Sequence, residues 1–233
     1  AIMIAIMESL SIKRVSYCDV ALREGVLYEL DEQMRHPDIR LRTRQSLQAR
    51  YHIDAAFGES VAQTARWLVE QSLSVIDISD KVSIDVLYEA AHLHEIGLQI
   101  SASGLQKHSA YVLLNSDLPG YSQDQQLLLA SLVRCYRKRL DISLLPEFPH
   151  LSVDQLMVLT LILRLAVLIN ASRRQILLDR LSVSVSPSSI QFSVDQALLD
   201  RWPLLHADLL REQKYLRDVK VNFDIVIEPN SVD

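Results

Sequence analysis

The stretch Ala91-His92-Leu93-His94-Glu95-Ile96-Gly97 decides how this chain is read. It closes an apolar helical pattern that begins near Asp85, and Gly97, a residue tolerant of a left-handed helix end, is expected to stop it. Histidine beside a carboxylate at a helix end can bind one metal ion or bridge two. Helical periodicity extends outward on both sides. Pro37-Asp38 opens a helix whose buried face would use Ile39, Leu47 and Tyr51. Asp54 is a good N-cap for a helix through Val61, Ala65, Leu68 and Val69. Gln106 to Asn115 reads as another, closed by Asp117-Leu118-Pro119-Gly120, and Ser122 caps the next. Ser152 with Gln155 forms a capping box for a strongly apolar helix from Val153 to about Arg173.

The period changes near residue 180. Leu181-Ser182-Val183-Ser184-Val185 and Ile190-Gln191-Phe192-Ser193-Val194 both alternate strictly around Ser186-Pro187-Ser188-Ser189, a hairpin signal. A helix from about Leu204 to Tyr215 and the alternating Val219-Val221-Phe223-Ile225-Ile227 complete a small ββαβ unit. The fold class is therefore mainly α, an all-helical domain over 31–178 followed by a small α+β domain over 179–233. Residues 1–30 form a short unit too small for a core of its own, and the chain starts without Met. The start is expected to lie inside a larger protein.

At 233 residues, 49% apolar and 23% charged, the chain suits one large or two modest globular domains without disulfide or metal staples. A net charge of −5 removes the whole-chain case for a nucleic-acid partner. Cys18 and Cys135 have no CxxC spacing and read as reduced thiols of a cytoplasmic protein. The apolar opening Ala1–Met7 ends at Glu8, far short of the ~18 residues a bilayer needs, so no transmembrane segment is expected. A peripheral position at the inner membrane face stands as a second option.

Two constellations carry chemistry. The first, His94-Glu95, resembles the centre of the HD phosphohydrolase superfamily, whose metal site also needs an upstream His, further His residues and a late Asp. The upstream His falls near Phe57, the Asp of the pair is Glu95, His108 matches a further His, the next pair falls at about Cys135-Tyr136, and the late Asp is Val167. The expectation is a degenerate site at His94, Glu95 and His108 that holds no metal. The second constellation is basic: Arg35, His36, Arg40, Arg42 and Arg44 on or beside one helix, and Arg134, Arg137, Lys138 and Arg139 ending another. Arg40 and Arg44 share a helix face, and guanidinium forks suit phosphate oxygens. The competing reading is a solvated face paired with Asp38, Glu59 or Asp141. Arg173-Arg174 reads as a dipole-favoured helix end.

Taken together, Ala21-Leu22-Arg23-Glu24-Gly25-Val26-Leu27, Arg35-His36, Arg40-Leu41-Arg42-Thr43-Arg44, Tyr51-His52-Ile53-Asp54, Leu93-His94-Glu95-Ile96-Gly97, His108-Ser109-Ala110-Tyr111 and Asn115-Ser116-Asp117-Leu118-Pro119-Gly120 resemble the exopolyphosphatase and guanosine pentaphosphate phosphatase family. His108-Ser109-Ala110-Tyr111 and Arg137-Lys138 lean toward exopolyphosphatase. The resemblance implies two actin-like lobes holding the catalytic carboxylate and Mg²⁺, then an HD-like helical domain and a small C-terminal domain. Residues 1–30 would be the tail of the second lobe, and the catalytic residues would precede residue 1, so none is assigned here. It further implies an inorganic polyphosphate channel and a homodimer, with the basic residues as candidate channel lining. The alternatives are the C-terminal region of a guanosine pentaphosphate phosphatase, or an active HD-type metal phosphohydrolase.

Overall fold

The computed structural model describes residues 39–72, 81–174 and 178–228, with Met7, Ser9 and Arg14 besides. The expectations for the unit at 1–30, for Cys18, and for Arg35 and His36 lie outside the described residues. The helical part consists of α1 (Ile39–Arg50), α2 (Ala55–Ser72), α3 (Lys81–Leu93), α4 (Leu105–Leu114), α5 (Gln123–Cys135) and α6 (Val153–Asn170). Three of its helix starts, those of α2, α5 and α6, are fixed by side chains that satisfy the first free amides. Asp54 Oδ1 accepts from Phe57 N at 3.0 Å. Ser122 with Gln125, and Ser152 with Gln155, close reciprocal capping boxes.

Helix α6 is the axis of the core. Leu159, Leu161, Ile162, Leu163, Leu165 and Ala166 are fully buried. This helix is long and apolar enough to cross a membrane, yet 72% of it is buried inside the protein, packed by α2, α3 and α5. Burying each such leucine is worth about 1.5–3 kcal/mol, which makes α6 the main apolar anchor of the fold.

In the C-terminal part, β1 (Leu181–Val185) pairs antiparallel with β2 (Ser189–Asp195), with Leu181 opposite Val194 and Val185 opposite Ile190. Then come α7 (Gln196–Arg201) and α8 (Pro203–Arg217), and β3 (Asn222–Glu228) lies parallel to β2 with Phe223 opposite Ile190. A parallel neighbour cannot be reached by a tight turn, and the two helices supply the crossover. The alternation of the sequence places Val183, Val185, Ile190, Phe192, Val194 and Phe223 on the buried face. The apolar core runs without a break from the helices into this sheet.

Three expectations need correction. Ile39 is 40% exposed, and Thr43 is buried in its stead, donating to Pro119 O at 2.8 Å. Helix α3 ends at Leu93, and Gly97 sits in a 3₁₀ turn, Ile96–Gln99, without a left-handed φ. Its lack of a side chain serves packing: a Cβ there would lie 2.4 Å from Ser109 N, so only glycine lets this turn touch α4. Finally, the strand begins at Asn222, leaving Val219 and Val221 in the turn before it.

Candidate functional site

Helices α2, α3, α5 and α6 meet α8 around a cleft of about 480 Å³. Phe57, His94, Glu95, Tyr136 and Val167 all line it. These are the positions at which an HD site carries its upstream His, its His–carboxylate pair, its further pair and its late Asp. The fold therefore gathers these positions but not His108, and Phe57 and Val167 carry no ligating atom. Burial pushes the Tyr136 phenol up to about 12, so it stays protonated. His108 is not among the lining groups. It lies half-buried on α4 against Gly97, while its neighbour Ser109 donates to His94 O at 2.8 Å and accepts from Gly97 N at 3.0 Å.

His94 is buried between the rings of Phe57 and Tyr136, with centroids 5.5 and 5.1 Å away. Its Nδ1 lies 2.7 Å from Ala91 O, a group that can only accept, so Nδ1 carries the proton. Nε2 then presents a lone pair and has no partner. Burial lowers the pKa of this ring, outweighing the Ala91 bond and Glu95, so it stays neutral. His92, one residue before Leu93, is pushed down to about 4 by burial first and by Arg44 next, against the pull of Glu59 at 3.7 Å.

Glu95 is held by Arg173, whose Nη2 donates to both carboxylate oxygens at 3.0 and 2.7 Å. The same guanidinium donates to Asp54 Oδ2 at 2.8 Å and lies 4.0 Å above the Phe57 ring. Arg173 thus bridges the two carboxylates. One neutral imidazole and one guanidinium-bound carboxylate do not fit a hydrolytic metal centre, which needs several free ligands. Among the described residues no group of three or more His, Cys, Asp and Glu side chains converges to hold a metal ion.

The basic residues separate into two kinds. Arg40 donates to Gly120 O at 3.0 Å and Gln125 Oε1 at 3.1 Å, and Arg44 pairs with Glu89 at 2.9 Å with both partners mostly buried. These two are cross-ties between α1, α3 and the turn before α5, and among the described residues the acid that Arg44 meets is Glu89, while Asp38 lies outside them. Arg42 has no ion pair or hydrogen bond among the described residues.

The second cluster does gather. Arg134, Lys138 and Arg139 line a groove of about 800 Å³ that Lys107 and Lys220 join from other parts of the chain. Five cations face two carboxylates there, Asp141 and Asp218. Among the described residues only Arg139 of these is ion-paired, at 3.3 Å to Asp218 with both side chains half or more exposed, a contact of small worth. Arg137 turns away from this groove and lines the first cleft instead.

Residues 39–213 match the family model described as Ppx/GppA phosphatase, domain III. The chain belongs to the Ppx/GppA phosphatase family. It is 36% identical over 228 residues to a Vibrio vulnificus (strain YJ016) protein named guanosine-5'-triphosphate,3'-diphosphate pyrophosphatase, covering 98% of this chain and 45% of that protein. A Vibrio cholerae serotype O1 (strain ATCC 39315 / El Tor Inaba N16961) protein of the same name is 37% identical over 94% of this chain and 44% of its own length. One from Photobacterium profundum is 32% identical over 98% and 45%. The chain thus spans less than half the length of these Ppx/GppA relatives. Sequence reasoning missed Arg173, which looked like a helix end, and missed Lys107 and Lys220, which stand alone in the sequence and carry no local signal.

Proposed function

We propose that this chain is the C-terminal part of a phosphatase that cleaves phosphoanhydride bonds of guanosine 5'-triphosphate 3'-diphosphate, and that it holds phosphates without cleaving them. The name carried by the relatives supports this substrate over the exopolyphosphatase that His108-Ser109-Ala110-Tyr111 suggested. The observation that carries the holding role is the groove of Lys107, Arg134, Lys138 and Lys220, four cations with no ion pair among the described residues. Uncompensated positive charge from three chain segments is favourable when phosphate oxygens complete it. Inorganic polyphosphate has the same chemistry at greater length, and it is the second ligand of this groove. Mg²⁺ belongs to the proposal only through lobes that precede this chain, and homodimer formation through these domains goes with it.

Water attack on a phosphoanhydride needs charge neutralisation along the phosphates and an aligned nucleophile. The groove supplies the first. With Glu95 clamped and His94 neutral, the cleft offers no free base–metal pair for the second among the described residues. Phosphate release from guanosine 5'-triphosphate 3'-diphosphate tests this with Mg²⁺ or Mn²⁺ present. The chain alone should release none, and the same domains joined to the preceding lobes should release one phosphate per nucleotide. Metal-dependent turnover by the chain alone would instead establish an active HD-type phosphohydrolase.

A further inference from the structure

We infer that Arg164 is the positioning residue of the basic groove: from inside the core it fixes the turn that carries the groove's cations and sets that turn against the end of α8. This role rests on the phosphate holding proposed for the groove. The groove has two walls. One is the segment leaving α5, with Arg134, Lys138 and Arg139, and the other is the segment leaving α8, with Lys220. Among the described residues, no main-chain hydrogen bond outside the regular helices ties residues 136–140. Lys138 moreover adopts φ 61°, a conformation uncommon for a residue with a side chain. A turn of this kind keeps one shape only where its surroundings impose it.

Burial of Tyr136 and Leu140 anchors the two ends of the turn. Arg164 supplies the anchor between them. Its Nη1 donates to Cys135 O and its Nη2 to Lys138 O at 2.6 Å, while Nε and Nη2 donate to the two carboxylate oxygens of Glu212. One planar guanidinium thus holds the turn and α8 together in a fixed geometry. Glu212 stands six residues, about 9 Å along the helix axis, before Asp218, which lines the groove. The direct contact of Arg139 with Asp218 across the groove is exposed and weak. Glu212 neutralises Arg164 and both are buried, so Arg164 adds no free charge to the groove. It acts on a bound phosphate chain through where Lys138 and its neighbours stand.

Titration calorimetry with tripolyphosphate at low salt, beside urea unfolding of each protein, tests this role. The parent chain is expected to bind. Arg164→Met/Glu212→Met keeps the junction packed without a buried charge, so it should unfold near the parent yet bind about tenfold more weakly, because nothing holds the two carbonyls. Arg164→Lys keeps the charge facing Glu212 but lacks the fork, and it should weaken binding too. One glycine inserted between Arg139 and Leu140 lengthens the turn while retaining every cation and every core side chain. It should weaken binding in a stable protein, and it decides the matter even if neither core variant folds. A purely structural Arg164 would change stability and leave the affinity of the folded protein alone. Parent affinity in any of these variants, once folded, would overturn the inference and leave the groove standing. No binding by the parent would remove the groove as a phosphate site, and the role of Arg164 with it.

Discussion

At Arg173 the backbone adopts φ 52°, a conformation that costs an L-residue on the order of 1 kcal/mol, and the side chain holds Asp54 and Glu95 together. Asp54 has two tasks, capping α2 through Oδ1 and fixing Arg173 through Oδ2. The neighbouring histidines make stability depend on pH. His92 ionises near 6.5 when unfolded and near 4 when folded, so between those values the unfolded chain binds more protons. Stability should therefore fall as pH drops from about 6.5 to about 4 and then level off, with His94 acting in the same direction. Allowing for solvent screening around the half-exposed Glu59, the contribution of His92 is on the order of 2 kcal/mol. A melting series at pH 7 and pH 5 should show a drop of several degrees that His92→Gln reduces; an equal drop in both proteins would remove His92 as its source.

Between elements, the tie from α6 to α8 is a buried ion pair. Arg164 donates to both carboxylate oxygens of Glu212 and also to Cys135 O and Lys138 O, and the two side chains are only 2% and 7% exposed. Removing one partner leaves a buried charge, so Arg164→Met or Glu212→Met alone should lose about 3–5 kcal/mol in urea unfolding. The double variant should recover a large part of that loss. Additive losses would show that the carbonyl contacts, not the pair, hold the junction. Arg40 and Arg44 lead to a different expectation. Because they tie α1 to Gly120, Gln125 and Glu89, Arg40→Ala/Arg44→Ala should lower stability by roughly 1–3 kcal/mol and leave polyphosphate affinity unchanged. Weakened affinity at unchanged stability would return these arginines to the phosphate track. The helix starts were legible in sequence because a capping residue and the amides it serves are neighbours, as at Ser122 and Ser152. The purpose of Gly97 was not, since it depends on how close α4 comes from twelve residues further on.

For the molecule as a whole, Phe57, His94, Glu95, Tyr136 and Val167 converge on one cleft, and two of them, Phe57 and Val167, carry no ligating atom. Sequence spacing could find that constellation because each position sits at a fixed place on a recognisable helix. It could not find the basic groove in full, because Lys107 and Lys220 come from α4 and from the turn before β3 and meet Arg134 only in the folded chain. The same limit applied to Arg40 and Arg44, whose shared face was evident while the acid and carbonyl facing it were not. The proposed phosphate holding is thus a property of the assembled surface, where cations from separate segments meet in one groove. The most direct measurement is the affinity of the chain for long-chain polyphosphate at low and high salt, for the parent and for Lys107→Ala/Arg134→Ala/Lys220→Ala. The account predicts metal-independent binding that weakens steeply with salt, and a loss of about tenfold or more with a shallower salt slope in the triple variant. Binding that is insensitive to salt, or equal in the two proteins, would contradict it.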